Sequence, residues 1–109
     1  MIRTKNIFLS EVKNMSWRDM EDLSQFSDSV LSDKTCMQLM IRLHPVVVLD
    51  SDFKKELMDG ELHKMSFELC RDVHGYKDHL GDVYDAIPKE FETREMQLDM
   101  AKTNHAFII

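Results

Sequence analysis

His63, Cys70 and His74 are the residues whose types and spacing come closest to chemistry. Thiolate and imidazole together suit Zn²⁺, which takes such ligands at tetrahedral angles. On a helix Cys70 and His74, four apart, face the same way, and His63 lies two turns earlier on that face. His79 follows closely enough to join them. The ligand set is sparse, since no CxxC or HxxxH pair accompanies it. Capping and packing are therefore the expected roles of these side chains, and no metal or other cofactor is expected.

Carboxylates form the second group. Asp78, Asp82 and Asp85 are spaced by four and three, which puts them side by side on a helix. An acid–base pair needs one carboxyl in an apolar pocket to split the two pKa values. No such pocket is marked by the neighbouring residues, so a solvated acidic face is expected. Gly60, Gly75 and Gly81 are isolated, and no phosphate-cradling loop forms from them. Cys36 and Cys70 sit among apolar residues, a setting for buried thiols and not for activated ones. These features together point away from an enzyme. Arg3, Lys5, Lys13 and Arg18, with Phe8 and Trp17 among them, are the one basic–aromatic grouping, and Glu11 interrupts it. Direct nucleic-acid binding is accordingly not expected.

The elements that must hold these side chains are helical. Ser16, with Asp19 three residues on, makes a near capping box ahead of Trp17, Met20, Leu23, Phe26 and Val30, whose spacing predicts an amphipathic helix. A helix starting at Ser32 or Asp33 carries Cys36, Met37, Leu39, Met40, Ile41 and Leu43, leaving little polar surface, and is expected at the centre. A strand over Met37–Leu43 is the competing reading. Val46–Leu49 is β-branched and reads as extended. Ser51 caps a short helix over 52–58. A longer helix over 61–73 places Leu62, Met65, Leu69 and Val73 on one stripe and His63, Phe67, Cys70 and His74 on another. Residues 76–86 form a further helix, and Thr93 caps the last. Residues 1–15 read as a strand or docked arm, 16–109 as one helical domain. The nine methionines mostly fall at core-like positions, where unbranched side chains fill irregular gaps.

Three helix starts share a pattern: Leu31-x-Asp33-x-x-Cys36, Leu57-x-Asp59-x-x-Leu62 and Phe91-x-Thr93-x-x-Met96. In each, a side-chain oxygen can accept from free N–H groups of the first turn. Three stops also align: His44-Pro45-Val46, His74-Gly75-Tyr76 and His105-Ala106-Phe107. The alignment predicts degenerate two-helix repeats. The segment from Ile87-Pro88 through Phe91-x-Thr93-x-x-Met96 to Asn104 and the apolar end Phe107-Ile108-Ile109 resembles short helical repeats of a family of unknown function. Such repeats occur in phage, giant-virus and intracellular-bacterial proteins. The resemblance covers 87–109, with His105 where that family prefers Gly or Pro. It implies a helical repeat and carries over no functional residue.

A chain of this length fits one domain with a core of its own. The two cysteines, the short apolar run Ile7-Phe8-Leu9 and the lack of any membrane-length apolar stretch predict a cytoplasmic protein. The net charge of −6 is uneven, because residues 1–18 carry four basic groups against one acid. Acids cluster at Asp19, Glu21, Asp22 and Asp28 and again at Asp78, Asp82 and Asp85. The expected product is an all-α bundle of five or six short helices that binds a protein with a basic patch through these acidic faces. The phage-like resemblance adds the expectation of an inhibitor of a host or defence protein. A nucleic-acid mimic, with carboxylates in a phosphate-like row, and a zinc module or small enzyme are the alternatives.

Overall fold

A computed structural model describes residues 2–73 and 75–103. The chain is all-α. Six α-helices, α1 (Lys5–Glu11), α2 (Asp28–Leu31), α3 (Lys34–Leu43), α4 (Gly60–Asp72), α5 (Leu80–Asp85) and α6 (Arg94–Thr103), are joined by one-turn 3₁₀ segments. No strand occurs among the described residues. An isolated parallel bridge, Arg3 to Phe26, is the β-type pairing they contain.

The three aligned starts are real caps. The Cys36 N–H donates to Asp33 at 3.0 Å, Leu62 N–H to Asp59 at 3.0 Å and Met96 N–H to Thr93 at 3.2 Å. Each satisfies a first-turn donor that the helix itself cannot. A single turn of helix precedes each cap: α2, Lys55–Leu57 and Lys89–Phe91.

The core centres on α3 and α4. Helix α3 buries Cys36, Met37, Met40 and Ile41, with Leu39 and Leu43 half-buried. Helix α4 buries Leu62, His63, Ser66, Phe67 and Cys70. The segment Pro45–Leu49 lies against both helices, and the Ser66 hydroxyl donates to the Pro45 carbonyl at 2.9 Å. Met96 and Met100 of α6 and Leu80 and Val83 of α5 complete the core. Of the methionines expected inside, Met37, Met40, Met96 and Met100 are buried and Met65 is half-buried. Arg71 of α4 reaches Asp99 of α6 at 2.6 Å.

Several local expectations are corrected. Residues 17–30 are not one helix but three short pieces, Trp17–Met20, Leu23–Gln25 and α2. Polar side chains there satisfy the backbone locally and compete with helix continuation. The Ser16–Asp19 capping box closes on itself, Asp22 accepts from the Ser24 N–H, and Gln25 Nε2 donates to the carbonyls of Asp19 and Asp22. Met20, Leu23, Phe26 and Val30 are nevertheless buried, while Trp17 is 44% exposed. Residues 46–49 are a 3₁₀ turn, not extended, because Pro45 presets the first helical φ and Val47 and Val48 bury between α3 and α4. Residues 52–58 contain only the 3₁₀ turn Lys55–Leu57, since Asp50, not Ser51, accepts from the Asp52 N–H. On α4 the two stripes differ: Val73 is 38% exposed and Met65 and Leu69 are half-buried, whereas Phe67 and Cys70 are fully inside. Gly75, at φ +97°, turns the chain before a 3₁₀ turn, Lys77–His79, that runs into α5.

Residues 5–11 form a helix and not a strand, and this helix is docked on the core. Helix α1 carries Phe8, fully buried, edge-on to Phe26 at 5.5 Å. Arg3 donates its N–H to the Gln25 carbonyl and accepts from the Ser27 N–H, and Lys5 pairs with Asp33 at 2.9 Å. No described helix is long and apolar enough to cross a membrane. Residues 104–109, including the aligned stop at His105 and the apolar end, lie outside the described residues, as does His74.

Candidate functional site

His63 and Cys70 are both buried on α4. His63 is 3% exposed and its ring stacks on Phe91 at 5.4 Å and 24°. Gly60 admits the Phe91 ring, since a Cβ there would lie 3.2 Å from its edge. Nε2 of His63 has no hydrogen-bond partner among the described residues. Burial holds its pKa below the ordinary histidine value, with Asp59 pulling upward and Lys55 downward. Burial pushes the Cys70 thiol up to about 12 and the Cys36 thiol, with Asp33 beside it, up to about 11. Both thiols stay protonated and unreactive at neutral pH. Among the described residues no three His, Cys, Asp or Glu side chains gather closely enough to hold a metal ion.

The first acidic group is largely occupied with local structure. Asp19 closes the capping box, Asp22 is held below the usual carboxylate range by Ser24, and Asp28 pairs with Lys54 at 3.3 Å. Glu21 is exposed and lines a surface cleft. Asp78, Asp82 and Asp85 are all exposed. Tyr84 donates to Glu92, which also accepts from Gln97 at 2.9 Å, so that carboxylate is held low by its two donors.

The tertiary fold builds a site that the residue spacing did not suggest. Two adjoining clefts share His44 and His79. One, of about 560 Å³, is walled by Trp17, Leu43, Val73 and Tyr76 as well. The other, of about 340 Å³, is lined by Glu21, Leu49 and Asp50 among others. The Tyr76 hydroxyl and His44 Nδ1 share a hydrogen bond of 2.9 Å, and their rings meet edge-on at 5.6 Å. Trp17 lies 6.1 Å from the His44 ring, and the Arg18 guanidinium sits 5.4 Å from the Trp17 centroid. Burial lowers the His44 pKa against an upward pull from Glu21, with His79 adding to the lowering. The imidazole is neutral at pH 7 and can share its hydrogen bond with Tyr76 in either direction.

Each element contributes for a local reason. The Ser16–Asp19 box holds the turn that bears Trp17. His44 terminates α3 ahead of Pro45, which cannot continue a helix in place of a bonded N–H. Gly75 swings the chain so that Tyr76 returns towards α3. In the sequence these residues read as a core tryptophan, a helix stop and the residue after a stop. No spacing rule links positions 17, 44 and 76; the one available signal was the coincidence of two aligned stops, His44 and Gly75-Tyr76.

Such a surface offers aromatic faces, a polar hinge between two rings and carboxylates at its rim. Compared with family models, curated proteins and solved structures, the chain finds no match.

Proposed function

We propose that this chain is a small cytoplasmic binding protein that acts stoichiometrically on a protein with a basic patch, and that its contact surface is the pair of clefts around His44. One observation carries the reading. Glu21, from the first acidic segment, and His79, next to Asp78 of the second, line the same cleft. An acid of the first stretch and the histidine that adjoins the second thus border one surface. Opposed charge of this kind steers encounter and sets orientation, while the exposed aromatic supplies the anchor. The resemblance of residues 87–109 to phage-borne helical repeats supports a phage or mobile-element inhibitor of a host or defence protein as the setting, with the capped helices as degenerate repeats.

The test is salt and charge. A partner recovered from the host and purified should bind with an affinity that falls steeply between about 50 mM and about 500 mM salt, over which screening shortens from beyond ~10 Å to a few ångströms. The double substitution Glu21→Lys with Asp78→Lys should weaken it far more than Glu56→Lys with Glu90→Lys elsewhere on the surface. A complex indifferent to both overturns the reading.

A further inference from the structure

We infer that the clefts take an arginine-bearing extended segment of the partner, the guanidinium lying against the Trp17–His44–Tyr76 wall within reach of Glu21 and Asp50. This rests on the stoichiometric-binding reading and names the occupant of its surface.

Charge characterises these clefts. Among the described residues no lysine or arginine lines either of them, and their carboxylates are those of Glu21 and Asp50. Two clefts on the α4 side mix charges instead, Arg42 and Lys64 with Glu61 and Glu68 in one, Lys64 and Arg71 with Glu68, Glu95 and Asp99 in the other. A cation is therefore favoured beside Glu21 and Asp50, where no basic lining side chain competes for the carboxylates. The wall has the right chemistry for a flat cation. A guanidinium is weakly hydrated, planar and polarising, and it rests on aromatic faces where an ammonium prefers water. The protein's own Arg18 lies over one part of the Trp17 ring, and the occupant takes the aromatic surface that Arg18 leaves. The apolar part of the occupant is also indicated. Trp17, Val73 and Leu49 are large apolar side chains left exposed, and all three line these clefts. An aliphatic residue beside the arginine would cover them.

His44 makes the contact sensitive to acid. The groups facing it are Tyr76, Trp17, Glu21 and His79. A proton on His44 would add a positive charge to a surface built to receive one and would remove the acceptor offered to Tyr76. Binding therefore weakens as the pH falls below neutrality.

The experiment is selection of a random dodecapeptide library on the immobilised full chain at pH 7.4, repeated on Trp17→Ala, on Glu21→Gln and on Asp82→Asn with Asp85→Asn. All these positions are exposed, so the variants fold. Enriched peptides should carry arginine next to a bulky aliphatic residue. Their synthetic forms should lose about tenfold or more in affinity on Trp17→Ala, the usual weight of an aromatic anchor. Replacing arginine by citrulline, which keeps the shape without the charge, should do the same. Binders with arginine that respond only to the Asp82 and Asp85 change overturn this site but leave the binding-protein reading standing. Binders without basic residues, including sequences like the chain's own 104–109, overturn the arginine assignment. No enrichment at all overturns both.

Discussion

Two histidines mark two kinds of region. His63 lies on the inner face of α4, sealed under Phe91, with a ring nitrogen that meets no partner among the described residues. His44 lies at the end of α3, half-buried, bonded to Tyr76 and bordering open clefts. Burial lowers the pKa of both. The first is a packing element whose polar nitrogen is a local cost. The second keeps its polarity in use, because the ring that blocks its solvent side is another hydrogen-bonding group. The difference shows that a depressed histidine pKa by itself says nothing about function. What separates the two is whether the cavity beside the ring opens to solvent and what charges border it.

The contrast can be broken first by truncation. Phe67→Ala, on the sealed side, should cost about 3–5 kcal/mol because a fully buried ring leaves a cavity. Trp17→Ala, on the open side, should cost under about 1 kcal/mol since nearly half its surface is already in water. Urea denaturation of both variants checks this, and equal losses would erase the distinction.

The histidines themselves should respond with opposite signs. His63→Met removes an unsatisfied buried nitrogen and keeps the volume, so it should raise stability by about 1 kcal/mol. His44→Leu breaks the bond to Tyr76 and should lower it by about as much. A fall in both midpoints would mean that His63 has a partner in solution.

Acid should act on both. Their folded-state pKa values lie below the unfolded value of about 6.5, so the unfolded chain takes up protons first. The stability they contribute is full above about pH 6.5 and is lost as pH falls towards the folded-state values. Melting midpoints should therefore drop between about pH 7 and about pH 5, and the drop should be shallower in His63→Met.

The smallest effect belongs to the rim. Glu21→Gln should leave the melting midpoint where it is, since the side chain is exposed, while weakening capture of arginine-bearing peptides. A shift in the midpoint would show that Glu21 supports the fold and is not held in reserve for a partner.

Much of this fold is legible in the chain because its signals are local. Asp33, Asp59 and Thr93 cap the helices they precede, and the Ser16–Asp19 box forms where its residues predict. What misled was also local. Trp17, Met20, Leu23, Phe26 and Val30 have helical spacing, yet Asp22, Ser24 and Gln25 bond to the nearby backbone and break the run into turns. The buried positions within that run survived; the tryptophan that opens it did not. On α4 the pattern offered two stripes of similar character, and only the neighbours of each could rank them.

Sequence alone determined the starts of α3, α4 and α6, the all-α class and the burial of most methionines, because caps act within four residues and apolar periodicity follows from helix geometry. The tertiary structure alone decided that Trp17, His44 and Tyr76 share a wall, that Glu21 and His79 border one cleft, and that His63 is sealed while His44 is not. Those outcomes depend on how α3, α4 and the turn at Gly75 pack. Packing sums many weak contacts between distant residues, and no interval along the chain records it.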